Sequence, residues 1–123
     1  MKVTLERLRP GTDQCGENGM KKIFANLREL EWIDGPYPNV KMKVFPSEME
    51  SGTYTILLDV PPGAVLERHD EPLNEVSYVL SGTVSIEGKS FSEGTYLFTP
   101  AGMAHGPFET EDGCLILVTK FSR

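Results

Sequence analysis

Turn residues recur through this chain at intervals too short for helices. From Asp34 onward, DGPYP, PSEMESG, PPG, SG, EGK, SEG, PAG and EDG separate short apolar and β-branched runs. The runs are Val40–Phe45, Thr53–Val60, Val65–Arg68, Glu75–Leu80, Thr83–Ile86, Lys89–Phe91, Thr95–Phe98, Gly106–Glu109 and Leu115–Phe121. Runs of this length bounded by Gly, Pro, Asn, Asp and Ser read as strands. Many short strands without intervening helical patterns predict an all-β sandwich or barrel, not a βαβ fold. Ser81-Gly82 and Glu87-Gly88 are hairpin-compatible pairs. Gly63, Gly82, Gly94 and Gly102 read as turn residues at positive φ.

The N-terminal part reads differently. Residues 1–20 are polar, carry Pro10, Gly11, Gly16 and Gly19, and show no sustained period. They are expected to form an arm ahead of a single domain at 21–123. Met20 is an alternative start, which mass spectrometry of the native protein would test. Residues 22–32 are either a short helix, with Ile23, Leu27 and Leu30 on one face, or an edge strand.

A chain of 123 residues with 39% hydrophobic content supports one packed core. Its net charge of −6 argues against nucleic acid and anionic membranes as partners. No signal-peptide pattern opens the chain, and no apolar run reaches membrane-spanning length. Cys15 and Cys114 allow at most one disulfide; two free thiols in the cytoplasm is the expectation.

The chain has only two histidines, and both stand in turn-bracketed motifs. His69 and Glu71 are two apart, so a strand would point both to one face. Glu75 opens the next run, where an unpaired buried carboxylate would be costly. His105 follows the PAG turn. Two imidazoles and two carboxylates on neighbouring strands form a metal-ligand constellation, and the carboxylates would offset the charge of a divalent cation. A surface position for Glu71 is equally compatible with the spacing.

These motifs resemble those of the cupin superfamily. Gly63, His69, Glu71, Glu75 and Gly82 follow the spacing of the first cupin motif, and Gly94, Pro100, Gly102 and His105 that of the second. The match covers about half the chain directly. The resemblance implies a jelly-roll antiparallel β-barrel with one divalent metal, held by His69, Glu71, Glu75 and His105. Two positions depart from the pattern. Glu71 stands where the family has a histidine, and Glu109 where it has an asparagine. The first departure changes the implied set to two His and two Glu. Oxygen-rich sets favour Fe(II), Mn(II) or Ni(II) over Cu(I), and Zn(II) also accepts them. If Glu71 faces outward, His69, His105 and Glu75 would resemble a facial triad with open positions.

The stretch from Gly94 to Phe121 is similar to the cupin half of zinc-binding anti-sigma factors and to small cupins of the acetylacetone-dioxygenase type. The resemblance implies a small-molecule ligand, with a dioxygenase acting on a small carbonyl compound as the leading reading. The alternative is a metal- or ligand-sensing module that acts through a protein partner. It also implies a homodimer. Phe98 and Phe108 are the aromatic candidates for a substrate pocket beside His105, with Glu67 as a further candidate by strand parity unless a bend before His69 turns it to the surface, the favoured position. Tyr78 has the opposite parity to Glu75 and belongs on the other face. No catalytic acid or base is assigned; Glu67 and Glu109 are the only carboxylates near the motifs that offer one.

Overall fold

The structure, a computed structural model, describes residues 15–17, 19–47 and 52–122. The expected arm over 1–20 and the tip of the PSEMESG turn fall largely outside these residues. Among those described, one 3-10 turn, Leu27–Glu29, is the only helical element. Asn26 caps it, its side-chain oxygen accepting from the Arg28 amide at 2.8 Å. The open choice over 22–32 therefore resolves to neither a full helix nor a strand. Lys43 anchors this turn from the adjoining sheet: its Nζ donates to the Leu27 carbonyl at 2.8 Å and stands over the Trp32 ring.

The strands are β1 (Ile33–Asp34), β2 (Lys41–Val44), β3 (Tyr54–Val60), β4 (Val65–Leu66), β5 (His69–Asp70), β6 (Asn74–Ile86), β7 (Lys89–Ser92), β8 (Tyr96–Thr99), β9 (Ala104–His105), β10 (Phe108–Glu109) and β11 (Cys114–Phe121). All pairings are antiparallel. The main sheet runs β1-β2-β3-β11-β6-β10-β4, with β7 and β8 also on β6, and β5 pairs with β9 as a separate ribbon. This is the curled all-β architecture expected from the turn spacing.

The long strand β6 is where the sequence pattern and the fold part. Its first half pairs with β11 and β8, and its second half with β7 and β10. Ser81-Gly82 is therefore not a hairpin turn. The register to β11 shifts between Leu115 and Ile116, leaving Leu80 as the extra residue of a bulge. The bulge inverts the inward parity, from Glu75, Ser77 and Val79 to Val84. One strand can then serve both halves of the barrel. Glu87-Gly88 does form the expected two-residue turn, with both residues at positive φ.

The core is built from the inward faces of these strands. Ile56, Leu58 and Val60 of β3 pack with Val79 and Val84 of β6 and with Cys114, Ile116 and Val118 of β11. Thr110 pins the EDG turn to β6: its hydroxyl donates to the Thr83 carbonyl at 2.8 Å and accepts from the Gly113 amide at 2.9 Å. Both cysteines are free thiols, Cys15 exposed and Cys114 buried. Among the described residues no helix is long and apolar enough to cross a membrane.

Candidate metal centre

Pairing of β5 with β9 sets His69 directly opposite His105. Each imidazole is fixed from behind. His69 Nδ1 lies 2.8 Å from the Glu67 carbonyl, which only accepts, so this nitrogen carries the proton. The Tyr37 hydroxyl lies 3.0 Å from the same nitrogen. His105 Nδ1 lies 3.4 Å from a Glu75 carboxylate oxygen and 3.4 Å from the Thr99 hydroxyl. With the Glu75 carboxylate ionised, this nitrogen too carries the proton. Both Nε2 atoms are then left as lone-pair donors, and they face each other at 3.0 Å.

Two lone pairs at that separation repel unless a proton or a metal ion lies between them. Glu71 meets the same point, its Oε1 3.2 Å from His69 Nε2. The donor atoms of His69, Glu71 and His105 all fall within 4.8 Å of one another. Metal–donor bonds of about 2.1 Å place neighbouring donors about 3.0 to 3.4 Å apart, which the separations of His69 from His105 and from Glu71 satisfy. The donor set thus fits a divalent metal ion. Imidazole nitrogen with carboxylate oxygen suits iron, manganese, nickel or zinc.

Glu71 faces the cavity, so the outward alternative for it does not hold. Glu75 takes a different place from the other three. It is buried, with Oε2 toward His105 Nδ1 and Oε1 3.8 Å from Lys120 Nζ. The Ser77 hydroxyl donates to it at 3.3 Å. Its carboxylate thus stands behind the His105 ring, where a carboxylate can orient an imidazole.

Lys120 escaped the sequence reading. Its Nζ lies 2.7 Å from Glu71 Oε1, inside the same cavity. The signal was parity: Cys114, Ile116 and Val118 are the inward residues of β11, and Lys120 continues that series. Tyr37 was missed as well. It reaches the site from the DGPYP loop, closed by the Gly35 amide donating to the Val40 carbonyl at 2.8 Å. Nothing in the local pattern of that loop pointed to His69.

Glu67, Phe98 and Phe108 have separate fates. The metal-site cavity, about 110 Å³, has apolar walls that include Leu58, Leu66, Phe108 and Val118. Phe108 packs edge-on against the His105 ring, centroids 5.0 Å apart. Phe98 instead lines a second cavity of about 260 Å³ with Phe91 and Met103, on which His105 and Phe108 also border. The Glu67 side chain is exposed and lines neither; strand β4 ends at Leu66, so strand parity does not carry through to His69. Glu109 is likewise exposed. Tyr78 lies on the outer face, as its parity requires.

Electrostatics follow from burial. Burial raises the Glu75 carboxyl above the usual range; Lys120 opposes this and Glu71 adds to it. Burial, then the neighbouring His69, lowers His105. Burial works to lower Lys120, but Glu71, Tyr54 and Glu75 outweigh it and raise the ammonium. The raised Glu75 has a consequence for the metal-free protein. The folded chain holds that proton more tightly than the unfolded one, so this stability is complete below about pH 4.5 and lost as pH rises through the folded value. Metal-free Glu75→Gln should therefore unfold at a higher temperature than the parent at pH 8, with the gap closing toward pH 4.5. Thermal unfolding across this range checks it; a gap independent of pH would contradict it.

A curled antiparallel barrel carrying a His-and-carboxylate centre on facing strands defines a cupin. More narrowly, the chain belongs to the ChrR cupin-like domain family, which matches residues 20–122. Among solved structures, it is similar to the anti-sigma factor ChrR of Rhodobacter sphaeroides, seen in complex with SigE. Identity there is 22%, TM-score 0.65, covering 78% of this chain and 51% of that one. This chain thus spans about half the length of that anti-sigma chain. An RmlC-like cupin from Shewanella frigidimarina is similar at 22% identity and TM-score 0.69, over 81% of this chain and 90% of that one. A candidate acetylacetone dioxygenase from Methylibium petroleiphilum aligns at 16% identity and TM-score 0.71, over 82% and 77% of the two chains. At these identities the likeness establishes the fold. No curated protein matches the chain by sequence.

Proposed function

We propose that this cupin holds one divalent metal ion through His69 Nε2, His105 Nε2 and Glu71, and binds a small oxygenated molecule at the metal's open side. The observation that carries this reading is the pair of Nε2 atoms 3.0 Å apart. When bound, such an ion polarises a carbonyl, and iron adds redox chemistry with dioxygen. The chain's own residues do the rest. Glu67 and Tyr37 hold the His69 tautomer, and Glu75 holds that of His105. Apolar walls exclude bulk water, which strengthens every polar contact inside. The small cavity restricts the ligand to a few heavy atoms. Dioxygenation of a small carbonyl compound is the reaction class that best matches the site and its dioxygenase-like neighbour.

Glu75 is read here as an orienting group, although it stands at the position of the fourth expected ligand. Glu75→Gln should then lower metal affinity about 10- to 100-fold, the range for outer-shell partners, while near-stoichiometric loading persists. Metal titration checks this; complete loss of binding would make Glu75 a ligand.

A second reading has its own observation. Tyr96, Tyr78 and Phe98 stand exposed on the outer face of β6 and β8, with Tyr78 directly opposite Tyr96. Such a face suits a protein contact, either a second copy in a homodimer or the target of a sensing module. The two unpaired thiols suit a cytoplasmic setting. Oxygen uptake by anaerobically iron-loaded protein, tested with β-diketones and thiols, separates the readings. Turnover with a β-diketone is the expected result; no uptake across the panel would favour the sensor.

A further inference from the structure

Among the described residues that line the candidate metal-site cavity, Lys120 alone carries a fixed positive charge. Its place is set by register, opposite Glu75 on β6 and Tyr54 on β3. Ile116 and Val118 share its face and are buried, so the ammonium enters an apolar chamber. Its side chain is only 15% exposed. There it donates to Glu71 and lies within 3.8 Å of Glu75.

The charge balance of this cluster changes sign with the metal. Two carboxylates and one ammonium leave a formal charge of about −1, and a divalent cation turns it to about +1. A net positive charge inside apolar walls is costly unless an anion joins it. An ammonium offers three donors, and Glu71 uses one of them. The phenol of Tyr37 lines the same cavity.

We propose that Lys120 is an anion-docking residue, which with the open side of the metal selects a small monoanionic oxygen ligand, a carboxylate or enolate, over a neutral ligand of the same shape. This rests on the metal reading above. It adds the charge class of the ligand and the residue that determines it. It also accounts for Glu71 and Lys120 occurring together: the ligating carboxylate brings its own counter-ion.

The test uses Co(II)-loaded full-length chain and two probes of matched size, acetate and acetamide, followed by the visible cobalt spectrum. The parent should bind acetate at least about tenfold more tightly than acetamide. Lys120→Gln and Lys120→Met should retain Co(II), because removing a positive charge does not weaken a cation site. Each should lose about tenfold or more in acetate affinity with acetamide unchanged, and Lys120→Arg should recover part of the preference. Equal acetate binding by parent and Lys120→Met, at full cobalt loading, overturns the inference and leaves the metal site standing. Failure of the parent to take up Co(II) overturns the metal reading, and the inference with it.

Discussion

His105→Ala should lower affinity for divalent metal by at least about a hundredfold, or roughly 2.7 kcal/mol of binding free energy. The size follows from what the side chain does. Its Nε2 is one of two imidazole donors converging at 3.0 Å, and its Nδ1 is the anchor for the buried Glu75. Removing the ring takes away a direct ligand, which exceeds the 10- to 100-fold cost typical of outer-shell changes. It also strips Glu75 of its imidazole partner. His105 is buried, so truncation leaves a space beside Phe108, and some loss of stability accompanies it. His105→Gln serves as the control, because it keeps more of the volume and lacks the imidazole. Competition against a metallochromic chelator gives the affinity, and circular dichroism shows that the barrel persists. A His105→Ala protein that is folded and binds metal as tightly as the parent would sink the site.

Gly82→Ala should cost about 2 to 5 kcal/mol of folding stability. Gly82 has φ +79°, where a side chain costs about 1–2 kcal/mol. An alanine Cβ would also stand 2.2 Å from the Gly113 carbonyl oxygen and 2.9 Å from the Cys114 Cα. Both obstacles are backbone atoms of the turn that Thr110 holds against β6, so neither moves cheaply. Overpacking of this kind adds about 1–3 kcal/mol. A single domain is typically stable by about 5–15 kcal/mol, so the variant would sit near the edge of folding. Gly94→Ala is the comparison: φ is also positive, but its Cβ would meet nothing within 4 Å. Urea unfolding of the two variants should separate them by about 1 to 3 kcal/mol, the overpacking contribution alone. Equal midpoints would show that the contact between Gly82 and the EDG turn is not constraining.

The barrel was legible because its turns are written in Gly, Pro and Asp, and because apolar alternation marks the inward faces. The two histidines were legible as a pair because their motifs have fixed spacing. Other features were not, Tyr37 in its DGPYP loop among them. The Ser81-Gly82 pair looks like a turn, and only pairing of β6 with β11 and β10 reveals a bulge. Lys120 belongs to the site through parity along β11, a signal diluted by the polar end of that strand. The side of His105 on which Glu75 lies depends on how a buried carboxylate rotates, and spacing fixes only its face. Glu67 shows the limit of parity, which a bend breaks: the strand ends at Leu66 and the Glu67 side chain takes the surface position.

Metal content and coordination decide whether the two imidazoles hold a divalent ion. Protein purified anaerobically, analysed for metal and examined by X-ray absorption at the metal edge, should carry about one divalent ion per chain. Its first shell should contain only nitrogen and oxygen donors, with the scattering of two imidazoles. Substoichiometric metal that no reloading restores, or a sulfur donor from Cys15 or Cys114 in the first shell, would contradict the account.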